Sequence, residues 1–277
     1  MKLFNKISNE SNSNLKKLTF TDGKPVTIQA ALAQSVGITR DHMEDAAFSL
    51  VLQEGYCEQS KRAGLFIVAD GMGGHMNGEL ASSIAIQKLK ENLSPFLFSH
   101  QNDESSLEEV QQMIETAFKS AQQAVLEEVS GGGSTLTAAL LINQDLYLAH
   151  VGDSRLYLVS KDGRTEVLTR DHSLVQRLVD LGQINQSEAE LHPQKNVLYR
   201  ALGQTDGFKV DFNHQKITAP GHLMLCSDGL WGLVDDGKMA EVICARLPIE
   251  ERAEKLCDLA NKAGGTDNIS VIVVDVF

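Results

Sequence analysis

Cysteine is scarce in this 277-residue chain, and positive charge is in deficit. The four cysteines, Cys57, Cys226, Cys244 and Cys257, include no CxxC pair, and each lies in or near a segment that reads as core or helix. That pattern fits reduced thiols in the cytosol. No cysteine has an arginine six residues later, which argues against a cysteine-nucleophile phosphatase loop. Lysine and arginine number 25 against 37 acidic residues, a net charge of −12, so a long basic groove for nucleic acid is not expected. Part of that acidity is what a cation site needs, and the rest suits a solvated surface. No apolar run approaches bilayer length, so no membrane span is expected. Residues 1–18 carry lysines and an Asn/Ser stretch but lack the apolar core of a signal peptide. Residues 1–27 therefore read as a flexible arm, and a cytoplasmic location is expected.

Several catalytic signatures are missing as well. The run from Gly232 to Lys238 has GxxxxGK spacing, but Met239 stands where a P-loop needs Ser or Thr, and Asp235 and Asp236 occupy the phosphate cradle. The glycines after Asp70 do not make GxGxxG, because Met76 takes the last position. HExxH and GxSxG are absent.

What is present is an apolar run, Phe66-Ile67-Val68-Ala69, that stops at Asp70-Gly71-Met72-Gly73-Gly74-His75. A carboxylate at the end of a buried strand is costly unless solvated, paired or coordinated, and the glycines allow close backbone approach. Asp-Gly is also a hairpin-turn dipeptide, and the copies at Asp22, Asp162, Asp206 and Asp236 read as ordinary turns. The run from His222 to Cys226 repeats the first design by ending in Ser227-Asp228-Gly229. Gly152-Asp153-Ser154-Arg155 follows a third apolar run, with a tight turn as the competing reading. In the C-terminal stretch the order reverses: Asp267 begins an apolar strand, so an antiparallel neighbour would set it at the same sheet edge as Asp70 or Asp228. Near the start, Arg40 precedes Glu44-Asp45 in a polar loop between two apolar segments, a fixed cation able to grip a phosphate. A surface ion-pair cluster is the alternative for that loop.

Between these stretches the chain alternates packing elements. Residues 80–93 form an amphipathic stripe expected to end before Pro95. Ser105 and Ser106 each precede a glutamate by three, a capping-box pattern opening a second helix whose stripe runs from Leu107 to Ala124. Residues 134–168 read as an antiparallel meander with turns at 143–144 and 161–164. A polar excursion spans 170–203, and its His172 and His192 are acid/base candidates weighed against capping and packing roles. Strands are expected at 210–217 and 223–226, and helices at 236–246 and 249–262.

Carboxylates, glycines and one arginine remain as the chemistry. Oxygen-only ligation selects magnesium or manganese over zinc or copper. Six ordered motifs, from Arg40-x-x-Met43-Glu44-Asp45 and the Asp70 run through Gly133-Ser134-Thr135, Gly152-Asp153-Ser154-Arg155 and Ser227-Asp228-Gly229 to Asp267-Asn268-Ile269-Ser270, resemble those of metal-dependent protein phosphatases of the 2C type, bacterial branch. The resemblance implies an α+β fold, with two antiparallel β-sheets in a central sandwich flanked by helices on both sides and the metals at one edge. It implies a single phosphatase domain over 28–277 with a flap near 170–203. It also implies a phosphoserine/phosphothreonine protein phosphatase using two divalent cations, Mn2+ or Mg2+, in which a metal-bridging hydroxide attacks phosphorus without a phosphoenzyme.

Carried over, Asp70 would bridge the metals, the Gly71 carbonyl would bind one, and Asp228 and Asp267 would bind the other. Glu44 and Asp45 would hold metal waters, Arg40 would bind the phosphate, and Asp153 with Asp228 would form a weaker third site. Met72 stands where eukaryotic members carry a proton-donating histidine, which leaves a metal-bound water or a flap residue near His172 as candidates. The expected partner is a phosphorylated protein, the target or autophosphorylated form of a Ser/Thr kinase, met by a monomer without nucleic acid or membrane. An inert phosphoprotein-binding module of the same fold and a small-metabolite phosphatase are the alternatives.

Overall fold

In chain order the strands are β1 (Ile28–Ser35), β2 (Ala46–Tyr56), β3 (Gln59–Ala69), β4 (Gly71–Met72), β5 (Gly133–Ser134), β6 (Leu136–Ile142), β7 (Asp145–Val151), β8 (Arg155–Ser160), β9 (Thr165–Val167), β10 (Asp211–Lys216), β11 (Gly221–Cys226) and β12 (Ile269–Val276). The helices are α1 (Met76–Phe98), α2 (Leu107–Glu128), α3 (Leu174–Asp180), α4 (Gln186–Glu190), α5 (Asp228–Trp231), α6 (Asp236–Ile243) and α7 (Ile249–Lys262). The computed structural model describes residues 27–56, 59–74, 76–99, 105–205 and 207–277. The arm up to residue 26, the Asp22-Gly23 turn, Cys57, His75 and Asp206 lie outside them.

Among the described residues the long strands sort into two five-stranded sheets, ordered β1-β12-β11-β8-β9 and β10-β7-β6-β3-β2, with β4 and β5 as a separate ribbon. Every pairing is antiparallel. The alternation within β3 explains why its sequence is apolar without a break. Phe66 and Val68 point between the sheets, packing with Leu141, Leu156, Leu225 and Ile272. Leu65 and Ile67 point the other way, against Leu89 and Leu93 of α1 and Ile114 and Phe118 of α2. A strand buried on both faces cannot alternate apolar with polar. The other sheet is covered likewise, with Met224, Val271 and Val273 against Met239, Ile243 and Leu256 of α6 and α7. The order is therefore helices, sheet, sheet, helices, the expected sandwich.

Local signals explain most element boundaries. Ser106 caps α2, its hydroxyl accepting from the Glu109 N–H while the Glu109 carboxylate accepts from the Ser106 N–H. Asn185 and Glu188 do the same for α4, and Ser173 caps α3. Tertiary packing overrides local signal elsewhere. Helix α1 does not stop before Pro95 but runs through it to Phe98. Leu93 and Leu97 are fully buried and Phe96 packs on the same cluster, a gain that outweighs the one hydrogen bond proline removes. Asp236-Gly237 is no turn; Asp235 caps α6, and the dipeptide forms its first turn.

The meander expected over 134–168 also divides. The pairs β6-β7 and β8-β9 are hairpins, but β7 and β8 belong to different sheets. Gly152-Asp153-Ser154 is thus the crossing from one sheet to the other. Segment 170–203 leaves the sandwich and is tied back at its root, where the Leu174 N–H donates to Val197 O at 2.8 Å and the Tyr199 N–H to His172 O at 2.9 Å. No helix among the described residues is long and apolar enough to cross a membrane.

Candidate metal centre

Four strand ends and one crossing meet at a single edge of the sandwich. Asp70 follows β3, Asp45 precedes β2, Asp228 follows β11, Asp267 precedes β12, and Asp153 lies in the β7–β8 crossing. Pairing does the gathering. Ala46 faces Ala69 across β2-β3, and Cys226 faces Val271 across β11-β12. The end of one strand therefore lies beside the start of its neighbour. That is why the reversed order at Asp267 still delivers it to Asp228.

The charges feel one another strongly. Burial pushes Asp70 well above the usual carboxylate range, and the negative charges of Asp45, Asp228, Asp153 and Asp267 push it further. Asp45 is raised to about 7, chiefly by burial, against the hydrogen bonds of the Ser227 and Ser270 hydroxyls. Asp228 is raised to about 6 by burial and Asp267, partly offset by its hydrogen bond with Asp70 and by the charges of Arg40 and Lys195. Burial and Asp228 likewise raise Asp153, opposed by Arg155.

Asp228 Oδ1 is buried and has no hydrogen-bond partner. Such an atom costs stability unless something positive reaches it. Among the described residues no three side chains are already drawn into a ligand cage. The fit to a metal rests instead on the orphaned oxygen, the buried negative cluster and the donor set. All-oxygen donors suit a hard divalent cation.

The loop before β2 is clamped onto this edge by Asn268. Its Oδ1 accepts from the Glu44 N–H at 2.6 Å, and its Nδ2 donates to Val36 O at 2.8 Å and His42 O at 3.0 Å. Arg40 Nη2 donates to Asp267 Oδ2 at 2.8 Å with its side chain 45% exposed, so the guanidinium stands at the rim. Glu44 is buried and meets His42 Nε2 at 3.0 Å, while its carbonyl accepts from Ser82 Oγ at 2.6 Å. Asp45 Oδ2 accepts from Ser227 Oγ at 2.7 Å. Gly71 is buried where a Cβ would run into the Gly78 and Glu44 carbonyls, and Gly78 where a Cβ would meet the Glu44 carboxylate. The sequence-derived set of Arg40, Glu44, Asp45, Asp70, Gly71, Asp153, Asp228 and Asp267 is thus gathered at one edge.

The supporting groups were not legible. Thr135 and Ser134 hold the Asp70 backbone, the Ser134 hydroxyl donating to Asp70 O at 3.0 Å. Their Gly-Ser-Thr motif was visible, but nothing local says what it grips. Gly78 lies in the first turn of α1 and Lys195 within the 170–203 segment, and no local sequence pattern marks either. His172 is 1% exposed, with both ring nitrogens engaged. Nδ1 accepts from the Gly152 N–H at 3.0 Å, so Nε2 carries the proton and donates to Asp211 Oδ2 at 3.0 Å. It braces the β7–β8 crossing. Arg155, two residues after Asp153, donates through Nε and Nη2 to Asp171 at 3.0 and 2.7 Å and stacks 3.6 Å over Trp231.

Buried oxygen donors suited to a hard cation, with a guanidinium at the rim, are the groups that a phosphoester hydrolase needs. Residues 33–178 match the Protein phosphatase 2C family, and the chain belongs to that family. It is 34% identical over 241 residues to the serine/threonine phosphatase stp of Listeria innocua, covering 86% of this chain and 92% of that protein. Its fold matches the S. agalactiae serine/threonine phosphatase with a TM-score of 0.77 at 30% identity, covering 90% of this chain and 99% of the other. A further match is the catalytic domain of the serine threonine protein phosphatase PstP in complex with two manganese ions. There the TM-score is 0.71 and the identity 31%, covering 91% and 99% of the two chains.

Proposed function

We propose that this metal-dependent protein serine/threonine phosphatase works with two divalent cations, Mn2+ or Mg2+, held by Asp70, the Gly71 carbonyl, Asp228 and Asp267. Asp153 with Asp228 makes a weaker third site. The observation that carries this reading is the unpartnered Asp228 Oδ1 inside a buried cluster of carboxylates. The two manganese ions of the PstP complex support the count and the metal. When bound, such cations lower the pKa of water and neutralise phosphoryl oxygens.

The chain's own groups do the rest. Arg40 turns its planar fork to two phosphate oxygens, a geometry lysine cannot copy. Asp45, fixed by the Ser227 hydroxyl, and Glu44, fixed by His42 and by the space at Gly78, orient water at the edge. No side chain bonds to phosphorus in this reading, so no phosphoenzyme forms. The substrate is a phosphorylated protein, either a Ser/Thr kinase in its autophosphorylated form or a target of one, met in the cytoplasm by a monomer. Residues 28–277 act as one domain, with 170–203 as a flap beside the centre. The inert-module and small-metabolite alternatives find no support among the relatives.

The test is hydrolysis of a phosphothreonine peptide with Mn2+, with Mg2+ and with EDTA, beside the Asp70→Ala and Asp228→Ala variants. Turnover that needs the metal and both acids is expected. Near wild-type turnover by Asp70→Ala would overturn the assignment.

A further inference from the structure

Thr135 lies between β5 and β6 and is 1% exposed. Its backbone N–H donates to Asp70 O at 2.8 Å, and its Oγ1 accepts from the Asp70 N–H at 2.9 Å. Both peptide groups of Asp70 are thus tied to one residue. The same Oγ1 lies 2.7 Å from Ser154 Oγ, which is fully buried and next in sequence to Asp153. Asp70 ends a strand of one sheet, while Ser154 stands where the chain enters the other.

The proton inventory closes around this contact. A hydroxyl has one proton to give. That of Thr137 goes to Ser154 O at 3.0 Å, so His150 Nδ1, 2.8 Å away, must be the donor to Thr137 Oγ1. The Ser154 hydroxyl itself pairs with Thr135 Oγ1 at 2.7 Å. Gly152 completes the fit: a Cβ there would run into the Thr135 side chain, so the crossing packs directly on Thr135.

We propose that the Thr135 hydroxyl is a positioning group that sets the Asp70 carboxylate relative to Asp153, coupling two acids that come from different sheets. The inference rests on the metal reading above and deepens it. Thr135 touches neither cation nor substrate; it acts through the two acids' backbone neighbours. Groups one step removed from a metal ligand typically change affinity about 10–100-fold when lost.

The experiment is calorimetric titration of Mn2+ into the full chain, stripped of metal by chelator, for wild type, Thr135→Val, Thr135→Ser and Ser154→Ala. Thr135→Val keeps the shape and removes the hydroxyl. It should weaken every Mn2+ binding step by about tenfold or more and lower kcat, with KM for a phosphopeptide within about twofold of wild type. Thr135→Ser restores the hydroxyl and should bring affinity back to within about threefold of wild type. Ser154→Ala loosens only the Asp153 side and should weaken only the last ion to bind.

Thr135→Val binding Mn2+ like wild type, or Thr135→Ser failing to rescue, would overturn the proposal. If Thr135→Val does not melt cooperatively, Ser154→Ala decides alone: selective loss of the last ion supports the coupling, and an unchanged titration overturns it. Absence of Mn2+ uptake by wild type would sink the metal reading itself, an outcome distinct from normal uptake by wild type and Thr135→Val alike.

Discussion

Arg40 Nη2 donates to Asp267 Oδ2 at 2.8 Å across 227 positions of sequence. The two side chains are 45% and 33% exposed, and an ion pair so open to water contributes little to folding, on the order of 0–1 kcal/mol. The pair matters for where it holds the guanidinium. Arg40→Ala should melt at nearly the wild-type temperature while KM for a phosphothreonine peptide rises about tenfold or more, since a charge-assisted phosphate contact contributes roughly 1.5–3 kcal/mol. Arg40→Lys should recover only part of that loss. Steady-state kinetics beside a thermal melt separates the two effects, and a large fall in melting temperature would contradict this account.

Cation binding should be visible without any substrate. A ligand present at a hundred times its dissociation constant stabilises the folded state by about 2.7 kcal/mol, or roughly 5–10 °C for a chain of this size. Differential scanning calorimetry should record that rise on adding Mn2+ and its reversal with EDTA. In Asp228→Asn the rise should largely vanish.

Gly78 offers a reversal of the usual helix rule. Alanine in place of a helical glycine ordinarily stabilises by about 1 kcal/mol. Here the added Cβ would press on the Glu44 carboxylate and the Gly71 backbone. Gly78→Ala should instead destabilise by about 1–3 kcal/mol, the usual range for overpacking. It should also lower kcat, because Glu44 moves with the clash. A more stable, fully active variant would show that the contact yields without cost.

At the sheet end away from the acidic cluster, Asp275 and Arg252 form a buried ion pair, with one contact of 3.0 Å and a second, shorter one between Arg252 Nη2 and Asp275 Oδ2. His222 Nδ1 joins Asp275 at 2.6 Å. Burial alone would raise the Asp275 carboxyl, but hydrogen bonds from His222 and Arg252 and the Arg252 charge hold it below its ordinary value. The unfolded chain therefore takes up this proton at a higher pH than the folded one. The contribution is complete above the unfolded pKa and is lost as pH falls through the folded value. Asp275→Asn should cost about 3–5 kcal/mol near neutrality by stranding Arg252. The gap to wild type in urea unfolding should stay constant above about pH 5 and narrow as pH falls below the ordinary carboxylate pKa of about 3.9.

The parts of this molecule that were legible in sequence are those encoded by neighbours in the chain. An apolar run ending in an acid announced Asp70 and Asp228, and Ser106 with Glu109 announced α2. What escaped depends on residues far apart. Whether α1 passes Pro95 is decided by the cluster that Leu93 and Leu97 enter. That Gly152-Asp153-Ser154 joins two sheets depends on β8 pairing with β11, some seventy residues later by the register Leu156↔Leu225. The grip of Asn268 on the loop before β2 spans 224 positions at Glu44, a distance no local pattern can encode.

That last clamp sets a timetable for the newborn chain. The ribosome delivers Arg40, Glu44 and Asp45 early, but Asp267 and Asn268, which pin their loop, come more than two hundred residues afterwards. At translation rates of about 5–20 residues per second, roughly ten seconds or more separate the two events. Through that interval Arg40 has no Asp267 to seat it, so on the reading proposed above a half-made copy still tethered to the ribosome should be inert toward phosphoproteins.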